Sequence, residues 1–400
     1  MHPWVAKTRT GGLGMLETDC AVRRSVLLGA GLVMSMAAVG PAGAQSGDTG
    51  PRAGLPEPIA ELRARLAYSS DAGAVVGAGV TARRLFGRDQ TLAFDVEAGR
   101  DALSYALDYR APGLFGESPA FGIAVNATRS EDGEVFDFDS ESLSVRPELV
   151  WPRAEGEVTA YLDLSRAEIT DVPADASALI AQDDGTRRRA ALGVRLDGAR
   201  AATGEGPFAG LRYGVGLEAG GTDEEHRFVG LSGRTAARWT FGATRARIVT
   251  LEFRGGAIET TDGVSNIGDR YVLGSTAIRG FAYGGFGPRD LAARGEPALG
   301  GNYYALVRAD FQIEDAIPQA PALTPGVFVD AGSLWGLDDT AGGPGGTAAV
   351  DDDAHLRVSV GVSLEIDTGV GPISLSYAEP IEDRSYDEVQ EVQVSFRRSF

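Results

Sequence analysis

Residues 268–290 read GDRYVLGSTAIRGFAYGGFGPRD, and how this stretch is understood decides the rest of the chain. It carries neither a helical nor a strand period, it is rich in glycine, and on both sides the chain alternates between apolar and polar residues. At its centre stand Arg279, Gly280 and Phe281, a cation beside a flexible residue and an aromatic. A structureless loop of this length inside a folded chain is usually functional or disordered. Tyr271, Phe281, Tyr283 and Phe286 argue against disorder, since disordered segments are poor in aromatics. The stretch reads as a loop that folds back into the protein and is anchored there by Arg279.

Working outward, the flanks set the fold class. Upstream, Leu211, Tyr213, Val215 and Leu217 oppose Arg212 and Glu218, and Val249, Leu251 and Phe253 oppose Thr250, Glu252 and Arg254. Downstream, Tyr303, Ala305, Val307, Ala309 and Phe311 oppose Arg308 and Asp310, and Val327, Val329 and Ala331 oppose Phe328 and Asp330. The run from Leu356 to Asp367 is the cleanest case. The pattern begins at Leu62, Ala64, Leu66 and Tyr68 and ends at Val392, Val394, Phe396 and Phe400. Strict alternation places successive side chains on opposite faces of a strand. About sixteen such segments can be counted, each near the roughly 9–11 residues that a tilted strand needs to cross a bilayer. Short turns such as 86–89 and 368–372 trade places with long loops such as 168–186, 268–290 and 336–353. The expectation is an all-β fold, a sixteen-stranded antiparallel transmembrane β-barrel with an extracellular loop inserted into the lumen. A soluble sandwich also alternates, so alternation alone does not decide. The even strand count, a polar set suited to a wet or plugged lumen, and the terminal Phe400 favour the membrane. Pro147 lacks a ladder donor and predicts a local irregularity.

Composition and the N-terminus narrow the function. Across 400 residues the formal net charge is -19, which disfavours nucleic acid as a partner. Lys7 is the only lysine, so the later cations are arginines, whose forked guanidinium suits partly buried ion pairs. Arg23-Arg24, the apolar run Val26 to Val39 and the small residues before Gln45 read as a secretory signal cleaved after Ala44. The division expected is 1–44 signal peptide, 45–61 short periplasmic segment with a helical piece from Pro56 to Leu62, and 62–400 barrel. Cys20 lies before the apolar run, so the mature chain has no cysteine. His2, His226 and His355 form no catalytic or metal-ligating spacing, so neither an enzyme, a cofactor nor a metal site is expected. Asp183-Asp184-Gly185 and Asp351-Asp352-Asp353 read as solvated acidic outer loops, with a calcium site as the less common alternative. Trp151, Trp239 and Trp335 fall near strand ends, as interface aromatics do, and Arg398 reads as snorkelling toward headgroups.

Four motifs then appear in order: Arg279-Gly280-Phe281, Leu299-Gly300-Gly301-Asn302, 328–335 (FVDAGSLW) and 371–380 (GPISLSYAEP). With Phe396 and Phe400 in the export-signal position, this order resembles the barrel of the outer-membrane assembly factors, the BamA/TamA or bacterial surface antigen family. The strong motifs cover 268–400, and the strand-and-turn pattern, including Pro112 to Gly116, extends the likeness back to about Leu62. The resemblance implies that Arg279 enters the lumen and meets acidic residues on neighbouring strands. Asp330 would be one acceptor, with Asp310 at a position where the family often carries a glutamate. It also implies a bacterial outer-membrane location. The expected partners are outer-membrane lipid and lipopolysaccharide, client proteins, and a separate periplasmic protein, because 45–61 leaves no room for a POTRA domain. The expected function is insertion or translocation of proteins at a seam between the first and last strands. The alternative is a POTRA-less surface antigen or passive channel.

Overall fold

A computed structural model describes residues 60–399 apart from 70–72, 86–88, 115, 117, 132–135, 137, 203–205, 243–245, 318–319, 321, 344–345, 347 and 369–370. The signal segment, nearly all of 45–61 and Phe400 lie outside the described residues, as does the side chain of Arg398. The first strands are short: β1 (Ala60–Ser69), β2 (Gly73–Arg83), β3 (Thr91–Ala98), β4 (Ala102–Ala111) and β5 (Ala120–Ser130). The next six are long: β6 (Asp139–Arg153), β7 (Gly156–Thr170), β8 (Gly185–Ala201), β9 (Phe208–Thr222), β10 (Arg227–Phe241) and β11 (Arg247–Asp262). Loop 263–302 follows and contains two-residue bridges β12 (Gly280–Phe281) and β13 (Arg289–Asp290). The chain returns with β14 (Tyr303–Ile313), β15 (Leu323–Trp335), the bridge β16 (Val350–Asp351), β17 (Arg357–Thr368), β18 (Gly371–Glu382), the bridge β19 (Val389–Gln390) and β20 (Val392–Ser399). Leaving out the four bridges, sixteen antiparallel strands close into a barrel, and β1 pairs with β20.

Exposure decides between membrane barrel and soluble sandwich. The apolar set of each strand is the exposed one: Leu62, Leu66, Leu192, Val215, Leu217, Leu231, Val327 and Val362 all face outward. In water such a belt would be costly, since apolar surface costs roughly 25 cal/mol per Å². In a bilayer it is the required surface, and closure leaves no unpaired strand edge in lipid. Among the described residues no helix is long and apolar enough to cross a membrane.

The core lies inside the barrel, at the end carrying the long loops. Ile278, Phe281 and Phe286 from loop 263–302 pack with Ile258, Tyr304, Leu306 and Leu334 from the wall. A second cluster caps it. In loop 171–184 the short helix α1 (Ala178–Ala181) starts at Ser177, whose hydroxyl accepts the Leu179 amide. Leu179 and Ile180 then pack on Phe138, Ile169, Ile267 and Leu299.

Two local readings meet the structure differently. The helical piece expected over Pro56 to Leu62 is corrected at its end, where Ala60 to Leu62 begin β1. The Ala60↔Ala82 and Leu62↔Val80 pairings give this segment a ladder, and ladder bonds override a weak local helix preference. At Pro147 the β6–β7 ladder does break: pairing passes from Val145↔Leu164 to Glu148↔Tyr161. The opposite edge keeps Ile123↔Pro147 in register with β5.

Candidate functional site

The fold places loop 263–302 in the lumen, and arginines hold it there. Arg279 reaches the facing strands β14 and β15. Its Nε donates to Asp330 Oδ2 at 2.7 Å, its Nη2 to Asp330 Oδ1 at 2.6 Å, and its Nη1 to Asp310 Oδ1 at 2.7 Å. The Arg279 backbone amide also donates to Asp330 Oδ2, at 3.0 Å. The guanidinium lies over the Phe328 ring at 3.5 Å, a cation–π contact. Burial alone would pull the Arg279 guanidinium down from its ordinary value; the bonds to Asp330 and Asp310 outweigh that and raise it. Asp330 is fully buried, and Arg308 Nε stands 3.5 Å from its Oδ1 as a second cation. Arg254 and Arg308 also donate to the Thr276 carbonyl just upstream.

Gly280 has a steric reason to be glycine. Its φ is +98°, and a Cβ there would stand 3.3 Å from the Cβ atoms of Ala378 and Ser359. That close approach lets Phe281 bury completely beside Phe286, with ring centroids 5.4 Å apart.

The loop also bonds to the segment leading into the last strand. Gly280 pairs with Gln390 and Phe281 with Val389. The Ala282 amide donates to the Glu388 carbonyl at 2.9 Å, and the Glu388 amide to the Gly285 carbonyl at 2.8 Å. Two residues later β20 begins. Its ladders are the shortest in the wall among the described residues. It pairs with β18 over five positions, from Ile373↔Phe396 to Tyr377↔Val392, and with β1 over seven, from Arg63↔Ser399 to Ser69↔Gln393.

Further buried ions surround the plug. Arg270 donates to Ser265 Oγ at 3.0 Å and to the Leu299 carbonyl at 3.2 Å. Arg289 donates to the Gly284 carbonyl at 2.8 Å and to the Glu296 carbonyl at 3.1 Å. Asp290 accepts from Ser177 Oγ at 2.7 Å, tying the plug to the α1 loop. Asp183 accepts the Ile267 amide at 2.8 Å. Burial pushes the Asp183 carboxyl up to about 6 despite that amide, Arg270 and Arg187. For Asp269, burial works the same way, but His226, Arg189 and Arg187 outweigh it and hold the carboxyl low. His226 Nδ1 stands 3.2 Å from Asp269 Oδ2.

The acidic segments 183–184 and 351–353 differ from solvated loops in that each contributes a bonded carboxylate. Asp351, Asp353 and His355 place ligand-type atoms within 4.8 Å of one another. Asp351 already accepts from Tyr386 OH at 2.8 Å and lies 2.8 Å from His355 Nε2, while Arg384 Nη2 lies 2.7 Å from His355 Nδ1. Burial and the bond to Asp351 push the Tyr386 hydroxyl up to about 12.

Sequence reasoning named Arg279, Gly280, Phe281, Asp310 and Asp330; the structure brings these five together. It gave no place in the site to Phe328, Arg308 or the Arg357–Asp387 pair, although Phe328 and Arg308 appear in its alternating strands. Phe328 had a signal, being an aromatic in the inward polar set of its strand. Arg357 donates through Nε and Nη2 to Asp387 at 2.9 and 3.0 Å, and both side chains are buried. Asp387 comes from an irregular loop, where no periodicity marks an inward residue.

Comparison with known proteins agrees with this architecture. The Omp85 superfamily domain matches residues 84–400. The chain is 25% identical over 359 residues to the outer membrane protein assembly factor BamA of Neorickettsia risticii (strain Illinois), covering 84% of this chain and 44% of that protein. It thus spans less than half the length of this curated relative. Among solved structures it superposes on BamA from Haemophilus ducreyi lacking POTRA domains 1–3, with a TM-score of 0.68 at 17% identity, covering 86% of this chain and 70% of that one. CdiB from Acinetobacter baumannii shares the fold at a TM-score of 0.56 and 15% identity, over 86% of this chain and 60% of that one. A closed barrel with an outward apolar belt and these relatives belongs in the bacterial outer membrane. The chain is therefore a member of the Omp85 superfamily.

Proposed function

We propose that this barrel acts in the assembly or translocation of proteins at the outer membrane, and that its seam between β1 and β20 is where a client strand engages. The observation that carries this reading is the short pairing of β20 on both of its edges. A strand held by few ladder bonds opens at the least cost, and an opened edge offers unpaired amides and carbonyls to another strand. The plug supports the same reading. It fills the lumen, which argues against a passive channel, and it bonds to 388–390 immediately before the weak strand. Arg279, Asp310 and Asp330 serve as the anchor of the plug. The partners proposed are client proteins and outer-membrane lipid, with a periplasmic protein delivering clients. Binding and strand exchange require no catalytic residue.

A disulfide across the seam tests this. Ala67 and Ser395 are register partners. In the double variant Ala67→Cys, Ser395→Cys, oxidation should abolish insertion of a client barrel in proteoliposomes, and reduction should restore it. Full activity of the oxidised, correctly folded protein would overturn the seam reading.

A further inference from the structure

The outer wall holds a feature that neither the plug nor the seam uses. On the lipid-facing side, where β6 to β9 approach the long-loop end, a groove of 710 Å³ opens outward. Its floor is made by small residues, Ala190 and Gly221, and its sides by Leu143, Val145 and Leu164. The floor is low because Ala190 and Gly221 are register partners on adjacent strands. This wall is apolar and suits a hydrocarbon chain.

The head of the groove is cationic. Arg166 and Arg188 are direct register partners on β7 and β8, and both are exposed. They share the outward parity of Leu164 and Ala190, so both stand on the lipid side. Like charges directly opposite on one sheet face destabilise the pairing. The like-charge cost calls for an anion between them. Glu168 takes one Arg166 nitrogen at 2.7 Å, but this pair is exposed and weak. Asp223 is occupied with the Arg188 backbone amide at 2.9 Å. The Arg188 guanidinium has no hydrogen-bond or ion-pair partner among the described residues. Arg189, next after Arg188 in sequence, turns inward to Glu218 and is not part of the head.

The geometry points to a built-in site for one phosphorylated lipid of the outer leaflet, a lipid A-type molecule. Its phosphate bridges Arg166 and Arg188, and one acyl chain lies along Ala190 and Gly221. Charge complementarity fixes the class, because forked guanidiniums bind phosphate in bidentate fashion. The position fixes the leaflet: the groove lies at the end of the barrel carrying the long loops, opposite both chain termini of the barrel. The site lies on β6 to β9, none of which pairs with β1 or β20, so it is independent of the seam reading.

Native mass spectrometry of the full chain in detergent tests the site, with bis-phosphorylated lipid A as the probe. The wild type should retain one lipid. The double variant R166Q, R188Q should retain it roughly tenfold less tightly, as expected for loss of charged hydrogen bonds. A190F keeps both arginines, fills the floor, and should weaken retention as well. Dephosphorylated lipid A should bind like the double variant. Equal retention by wild type and both variants would overturn the site. Phosphatidylglycerol displacing lipid A at equal concentration would overturn the assigned occupant.

Discussion

Strands β6 to β11 run 15 to 17 residues, and neighbours among them pair over 13 to 15 positions. On the other side of the barrel β20 runs eight residues and pairs over five and seven. Particular ion pairs inside differ as well, although Arg357–Asp387 on β17 is as dry as any. In the far wall Arg146 donates twice to Asp163, and side-chain exposure is 10% and 2%. Beside the seam Arg63 meets Asp95 with 27% and 37% exposure, and Arg65 meets Glu97 with 45% and 34%. Both regions have the same alternating sequence and polar interior. They differ in ladder length and in how dry these particular pairs are. The plug spans the difference: Arg279 binds it to β14 and β15, and Gly280–Phe281 to the segment before β20.

The comparison can be broken most severely at Arg279. Arg279→Ala leaves Asp330 buried with only Arg308 at 3.5 Å, a loss on the order of 3–5 kcal/mol. The unfolding temperature read from heat-modifiability should fall, and protease should cut within 268–290. A protected loop in this variant would show that the plug is held by its apolar contacts instead.

Next in size is the far wall itself. Asp163→Asn strips the charge from the dry partner of Arg146 and should destabilise by about 3 kcal/mol. Arg63→Gln, beside the seam, should cost less than about 1 kcal/mol, because solvent screens that pair. Urea unfolding of the two variants in one lipid system measures the contrast. Equal losses would mean that the two sides do not differ in how their ions are held.

A smaller effect depends on pH and concerns the cap on the far wall. Asp183 has its carboxyl raised from 3.8 to about 6 by burial. An acid raised in the folded state favours folding while protonated, so its support falls as pH rises from about 4 to about 6. The change corresponds to about 2–3 kcal/mol. Amide exchange at Ile267 should therefore quicken between pH 4 and pH 7 beyond its intrinsic base catalysis, and Asp183→Asn should flatten that excess. An unchanged excess in the variant would assign the pH dependence to another group.

Much of the fold was legible because strand alternation is local. Leu211 to Leu217, or Val358 to Ile366, declare two faces without reference to any other segment, since side-chain direction has a period of two. The motif order also marked Arg279, Asp310 and Asp330, and placed both aspartates on the polar side of their strands. What local pattern cannot carry is depth and register. Loop 263–302 proved longer than the 268–290 stretch that marked it, because its ends lack aromatics and periodicity but still pack under α1. Phe328 beneath Arg279, and Asp387 opposite Arg357, depend on where distant segments come to rest.

The sequence by itself determined the strands, their faces and the exceptional loop, because these follow from neighbours a few residues apart. Only the tertiary structure decided that the apolar faces point outward, that β20 is the weakly held strand, and that Arg166 stands directly opposite Arg188. Closure joins Ala60–Ser69 to Val392–Ser399 across the whole chain, and register between strands is set by turn geometry and by which faces are buried. Those are long-range constraints, and no window of residues contains them.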